Sequence, residues 1–323
     1  MSATTIVMYG DHLLSLFSRV AHPRAPEPSG RARTAARPRT VVLEETRSDQ
    51  RSRAQRDTMP AAEYALSTRC GRVGHSDILT QLALKYGTDK ASHRFTRHYN
   101  MLFCKGRNDV RRVLEVGVFG GASIKMWHEY FPNATIFGVD NFACGLPSHL
   151  KPAKIRERGG NRGCLSKAQA ESGRAFRDAV QRGDYGPRIR LFSADQSDEA
   201  EMQGVVRELG AAGLFDIIIE DGSHRNADQQ MNLGLLFPLV RPGALYVIED
   251  IHSSWQKGYD EQPGSNRTTW RMVEHFRATH QIRSRHMRPE QRQYLERWIW
   301  NATTTVTRAW RTDQTCIIRK SLM

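Results

Sequence analysis

Two short runs in the second half of the chain end alike. One is Asp216-Ile217-Ile218-Ile219-Glu220-Asp221 and the other is Leu245-Tyr246-Val247-Ile248-Glu249-Asp250. Asp221, Glu249 and Asp250, brought to one point, would repel one another unless a positive charge sat among them. Oxygen ligands of this kind suit a hard divalent cation such as Mg²⁺. His224 follows Asp221 by three residues and is placed to face the same point as a general base. Each residue also has an ordinary use. Acids after a strand cap the next helix, and a lone His in a turn is commonly a hydrogen-bonded surface residue. The repeated ending is what favours a shared site.

The elements that must position these residues are legible around them. Each run is apolar, rich in β-branched residues and too short for a helix, so each reads as a buried strand. Residues 226–239 carry Met231, Leu235, Leu236 and Leu239 at helical spacing, and Pro242-Gly243 marks a turn before the second run. Strand, helix and strand make a βαβ unit with parallel strands. Neighbouring strands of this kind deliver both Glu-Asp endings to the carboxyl edge of the sheet, where ligands bind.

Upstream, residues 113–117 (VLEVG) read as a strand, Gly120-Gly121 as a turn and residues 122–130 as a helix. A glycine-rich turn at a helix N-terminus lets a ligand approach free backbone N–H groups. Residues 135–140 form the next strand. It ends in Asp140, where an acid would accept hydrogen bonds from ribose hydroxyls. A third strand, 189–195, ends in Asp195 followed by Gln196, and Asp195 either meets an adenine or caps the helix from residue 197. Residues 76–85 read as a helix capped by Ser76 or Asp77 and stopped at Gly87. Residues 95–103, aromatic and polar, read as a connecting loop that either lids a site or packs on the core edge. Residues 270–280 read as a helix, and 303–311 and 315–318 as closing strands. The expected architecture is α/β: a Rossmann-like, doubly wound, mostly parallel sheet with an antiparallel edge strand.

The chain has 323 residues and a formal net charge of +14. Residues 1–60 hold ten Arg, no Lys and six acids, mix in five Pro and lack a sustained apolar period. They read as a disordered Arg/Pro-rich tail, leaving residues 61–323 as one domain. The acid-poor stretch 1–40 also fits an organelle transit peptide, and Met59 an internal start. Residues 144–187 read as a basic insertion; 151–190 alone carry eleven Lys or Arg against four acids. The five cysteines show no CxxC pair, so neither a zinc site nor a disulfide framework is indicated, and a reducing, cytoplasmic setting is the default. No run approaches the roughly 18 apolar residues of a membrane span.

The motifs together resemble class I S-adenosylmethionine-dependent methyltransferases, in the branch of macrolide-sugar O-methyltransferases and cephalosporin-hydroxylase-like proteins. The resemblance covers about residues 78–255. It rests on YGTDK (86–90) with His98 and Tyr99, LEVGVFGGAS (114–123), GVD (138–140), ADQSD (194–198), IEDGSH (219–224) and YVIEDIH (246–252). It implies that Glu115, Gly117 and Gly121 hold the methionine part of S-adenosylmethionine, that Asp140 holds the ribose and that Asp195 and Gln196 lie near the adenine. It implies Mg²⁺ on Asp221, Glu249 and Asp250, and His224 as base toward a hydroxyl of a small acceptor, a glycosylated one included. Three segments depart from the family pattern: the tail, the insertion and the region after Trp255. Two other functions compete. One is a nucleic-acid methyltransferase, suggested by the basic insertion and the Arg-rich stretch 283–297 but without a recognised nucleic-acid module. The other is a cofactor-binding partner of an oxygenase that transfers nothing. A nicotinamide dehydrogenase is disfavoured by the glycine spacing. The sequence leaves the oligomeric state open, a homo-oligomer included.

Overall fold

A computed structural model describes residues 77–143, 167–309 and 312–322. The expected tail at 1–60, the onset of order near Ala61 and the first part of the insertion, 144–166, lie outside the described residues. All described residues belong to one compact unit.

The chain enters through α1 (Ile78–Tyr86) and α2 (Phe95–Phe103). Asp77 caps α1 by accepting the Thr80 N–H, and Gly87 closes it at φ 71°, a conformation that favours glycine. The stretch expected as a loop is α2. Phe95, Tyr99 and Phe103 recur every fourth residue and are all buried, so the aromatics form one helical stripe.

Alternation of strand and helix follows: β1 (Arg112–Val116), α3 (Ala122–Tyr130), β2 (Thr135–Asp140), α4 (Lys167–Arg182), β3 (Ile189–Ser193), α5 (Glu199–Ala212), β4 (Phe215–Glu220), α6 (Asn226–Leu236) and β5 (Val240–Ile248). Then come α7 (Thr269–Thr279), α8 (Pro289–Trp298), β6 (Ile299–Ala309) and β7 (Thr312–Lys320). The sheet order is β3-β2-β1-β4-β5-β7-β6. Strands β1 to β5 are parallel, and β7 is antiparallel to both β5 and β6. The expected architecture is therefore observed. The turn read at Pro242-Gly243 is instead absorbed into β5, where the pairing with β4 shifts register after Phe215↔Val240 and Gly243 takes φ 78°. Helix α8 was not anticipated. It buries only Leu295, so its apolar period is weak. Its local signals are Pro289 in the first turn and the Gln291 side chain, which accepts the Arg288 N–H.

The pleat divides the strand residues between two layers. Leu114, Val116, Phe137, Val139, Ile218, Tyr246 and Ile248 join one core with α5, α6 and α7. Val113, Ile217, Ile219, Leu245 and Val247 turn the other way and are equally buried. On that side Tyr99, Phe103, Trp127, Tyr130 and Phe131 stack edge-to-face and in parallel. Every residue of β4 is buried, and each of its three isoleucines contributes roughly 2 kcal/mol by leaving water.

Of the two cysteines among the described residues, Cys104 is disulfide-bonded. Cys316 is free and buried, and burial pushes its thiol up to about 12.

Gly117 stands where β1 and β4 end side by side. It has φ 100°, and a Cβ there would lie 2.1 Å from the backbone oxygen of Asp221. Backbone cannot step aside as a side chain can. Gly117→Ala is therefore expected to cost about 3 kcal/mol or more in thermal or urea unfolding; a variant as stable as wild type would contradict this close approach.

Candidate active site

The carboxyl edge of β1, β4 and β5 gathers the acids. Register places Val116 beside Glu220 and Glu220 beside Ile248, so Gly117, Asp221 and Glu249 follow in one row. Alternation turns Glu115, Asp221 and Glu249 to the α2 side and Glu220 to the α6 side. The sequence-expected convergence of Asp221 with Glu249, and of Asp221 with Asp250, occurs, but as two groups that share Asp221. Glu115, Asp221 and Glu249 offer oxygens within 4.8 Å of one another, as do Asp221, His224 and Asp250 with their own ligand atoms.

The inner group already contains a cation. Lys90, 1% exposed, reaches in from the loop between α1 and α2. Its Nζ lies 2.5 Å from Asp221 Oδ2, 2.8 Å from Glu249 Oε1 and 3.2 Å from Glu115 Oε1. Tyr99 donates its hydroxyl to the same Glu249 oxygen at 2.7 Å. Ser123 Oγ and Trp127 Nε1 donate to Glu115. Burial works against charge on Lys90, yet the three carboxylates together hold its pKa well above the ordinary value. Burial raises Glu249 well above the usual carboxylate range and Asp221 adds to it, against the pull of Lys90 and Tyr99. Burial likewise raises Glu115. Three acids against one ammonium leave the group short of positive charge.

The outer group is half-buried. His224 and Asp250 take φ 56° and 50°, left-handed values seldom found outside glycine and concentrated at working sites. His224 Nε2 lies 3.4 Å from Asp250 Oδ2. His224 Nδ1 and Asp250 Oδ1 are buried and have no hydrogen-bond partner. Burial raises the Asp250 carboxyl, and the surrounding His224, His252 and His93 oppose that rise. His252 Nδ1 sits 3.6 Å from Asp250 Oδ1 and accepts the Gln314 N–H at 3.4 Å. Asp221 and Asp250, the latter with an orphaned buried oxygen, fit a divalent cation better than the inner group, whose centre is filled by Lys90, and the His224 Nδ1 beside them stays open as a base.

The expected cofactor residues line the adjacent edge. Asp140 Oδ2 accepts the N–H groups of Val118 and Phe119, each at 2.9 Å, and Oδ1 accepts that of Phe142. It therefore shapes the glycine turn from the end of the next strand. Gly121, at φ 76°, opens α3 without a side-chain cap. The Phe176 ring of α4 packs on it so closely that a Cβ would fall 2.2 Å away. Asp195 is not the cap of α5; that role belongs to Asp198. Asp195 Oδ1 instead accepts both the N–H and the hydroxyl of Ser197. Gln196 lies against Gly222, with its Nε2 buried and unpaired.

Sequence reasoning quoted Lys90, Tyr99 and His252 only inside motifs and assigned them no role, and it missed Glu220. Asp260 was missed as well: its carboxylate caps the N-terminus of α6 by accepting the N–H groups of Asn226 and Ala227. Parity along the strands would have separated Glu220 from Asp221. No local signal identifies Lys90 or Asp260, because their partners lie 131 and 34 residues away.

Known proteins bear on this edge. No family model matches the chain. A mycinamicin VI 2''-O-methyltransferase of Micromonospora griseorubida is 33% identical over 193 residues, which are 57% of this chain and 38% of the relative. A demethylmacrocin O-methyltransferase of Streptomyces fradiae is 32% identical over 222 residues, 65% of this chain and 46% of the relative. The MycE methyltransferase from the mycinamycin biosynthetic pathway, solved in complex with Mg and SAH, superposes with TM-score 0.52 at 26% identity, covering 78% of this chain and 56% of that one. The chain is thus similar in sequence to O-methyltransferases named for macrolide substrates. It spans less than half the length of the curated O-methyltransferases quoted. Its fold is similar to that of the MycE methyltransferase.

Behind the edge, on the α6 side, Glu220 is fully buried, and neither carboxylate oxygen finds a well-formed hydrogen bond. Burial first, then the charges of Asp221 and Asp228, push it well above the usual range, against a pull from the Gly222 N–H. The folded state therefore favours the protonated acid. The Glu220 contribution to stability is expected to be full below the ordinary carboxylate value of 4.5 and to be lost as pH rises toward the folded-state value. Glu220→Gln removes that loss. The variant should melt a few degrees above wild type at about pH 8, and the gap should close at about pH 4.5. A gap of equal size at both pH values, read by circular dichroism melts, would refute the assignment.

Proposed function

We propose that this chain is an S-adenosylmethionine-dependent, divalent-metal-assisted O-methyltransferase acting on a hydroxyl of a small, glycosylated acceptor. The observation that carries the reading is the outer group: Asp221, His224 and Asp250 meet beside the glycine turn, with buried ligand atoms left unpaired. Its homology to sugar O-methyltransferases supports the same conclusion. Residues 61–323 make up the transferase domain of this proposal, preceded by the Arg/Pro-rich tail and interrupted by the basic insertion.

Within this reading, Glu115, Gly117 and Gly121 receive the methionine part of the cofactor, Asp140 the ribose, and Asp195 and Gln196 the adenine. Asp221 and Asp250 would hold the metal, with Glu249 as the third acid of the set. The metal, when bound, would act as a Lewis acid that orients neighbouring hydroxyls and lowers the pKa of one. Asp250, 3.4 Å from His224 Nε2, orients the imidazole so that Nδ1 is the basic nitrogen. His224 takes the acceptor proton there as the acceptor oxygen forms the O–CH₃ bond and the S–CH₃ bond breaks. The sulfonium leaves as a neutral thioether, so charge and atoms balance. Much of the rate advantage comes from holding oxygen, methyl carbon and sulfur in line. A nucleic-acid substrate gains nothing specific here: of the basic insertion, the described part is α4, which spends Phe176 on covering Gly121.

Calorimetric titration of S-adenosylhomocysteine into the full chain, with Mg²⁺ and then with chelator, tests the cofactor assignment. Micromolar binding is expected, and no binding to folded protein would overturn it. Asp221→Ala and Asp250→Asn should each lower metal-dependent transfer by about 100-fold or more while leaving S-adenosylhomocysteine binding in place. His224→Gln should lower kcat far more than it raises KM. Undiminished transfer in all three variants would sink the proposed roles.

A further inference from the structure

The inner and outer groups share one residue, Asp221. Its Oδ2 is bound by the Lys90 ammonium at 2.5 Å. Lys90 is 1% exposed, so it has no solvent to swing into. Its backbone is fixed as well. Gly87 ends α1 in a left-handed turn, and the N–H of Phe95, the first residue of α2, donates to the Lys90 carbonyl. The ammonium is thus part of the folded core and stays when a cation enters the outer group. A divalent ion on Asp221 and Asp250 would then share a carboxylate with a monovalent one a few ångströms away, in a half-buried site. Like charges at that range repel strongly.

We propose that Lys90 is a resident counter-ion that competes with the divalent metal for Asp221, so that the metal is held loosely and exchanges rather than being built in. Lys90 plays two parts. It neutralises the buried acids while the metal is absent, and it weakens the metal when present. It acts on the metal through the shared Asp221 carboxylate and touches no reacting atom. A purely structural lysine that aligns Asp221 and Glu249 for the metal leads to the opposite sign: removing it would weaken metal binding.

The inference rests on the metal reading above, and the test separates the two. Mn²⁺ is titrated into the full chain and followed by calorimetry and by the loss of the free-ion electron paramagnetic resonance signal, with no acceptor or cofactor present. Wild type should bind one Mn²⁺, and Asp250→Asn should abolish it; wild type without binding overturns the metal reading itself. Lys90→Met should bind Mn²⁺ about tenfold more tightly or better, and Lys90→Arg, which keeps the charge, should bind no more tightly than wild type. Unchanged or weaker binding by Lys90→Met, with wild type intact, overturns this inference alone. Lys90→Met leaves buried acids without their cation and is expected to lose stability. Folding only in the presence of Mn²⁺ would support the proposal. If the variant fails to fold under either condition, Lys90→Met/Glu115→Gln, which removes one charge of each sign, is read by the same criterion.

Discussion

A single buried ammonium holds the acidic edge of the sheet together. Lys90 lies among Glu115, Asp221 and Glu249. Without it the three carboxylates would face one another out of water, an arrangement that costs several kcal/mol per uncompensated ion. With it, the loop between α1 and α2 is tied to β1, β4 and β5 at once. Tyr99 extends the tie from α2, and Trp127 and Ser123 extend it from α3. The entry helices, which precede the sheet in the chain, are thereby fixed on its working edge.

The second constraint is the pleat. Because successive side chains point to opposite faces, the endings Glu220-Asp221 and Glu249-Asp250 cannot deliver all four acids to one place. Asp221 and Glu249 go to Lys90. Glu220 goes beneath α6 and is held as an acid. Asp250 escapes the alternation only because its backbone turns left-handed immediately after β5. His224 does the same after β4, and the two meet across the strand ends at 3.4 Å. Two unusual backbone conformations thus create an outer site that neither strand alone would present.

The glycine turn obeys a third constraint, close approach. Gly117 leaves room for the backbone of β4, and Gly121 leaves room for Phe176. Asp140 fixes the backbone between them by accepting two consecutive N–H groups. An acid at the end of β2 therefore shapes the turn at the end of β1 before any ligand is considered, and it couples the sugar-facing and methionine-facing ends of the proposed cofactor site.

The sequence by itself determined the sheet's parallel core, its antiparallel edge, the glycine turn and the strand endings, because period-2 burial, helical spacing and turn residues are local properties. It also marked Asp221, Glu249, Asp250 and His224 as one group from the repeated strand ending, where the structure makes two groups that share Asp221. It misread residues 95–103, where polar residues between the aromatics hid a buried helical stripe, and it passed over α8, which buries one residue. Only the tertiary structure decided what sits among the acids. Attraction between Lys90 and Asp221 acts across 131 positions of chain, and no local pattern encodes a contact made by the meeting of separate elements. The same holds for Asp260 on α6 and Phe176 on Gly121. Chain-local energetics placed the carboxylates at one edge; long-range packing decided which of them already has its cation and which still lack a partner.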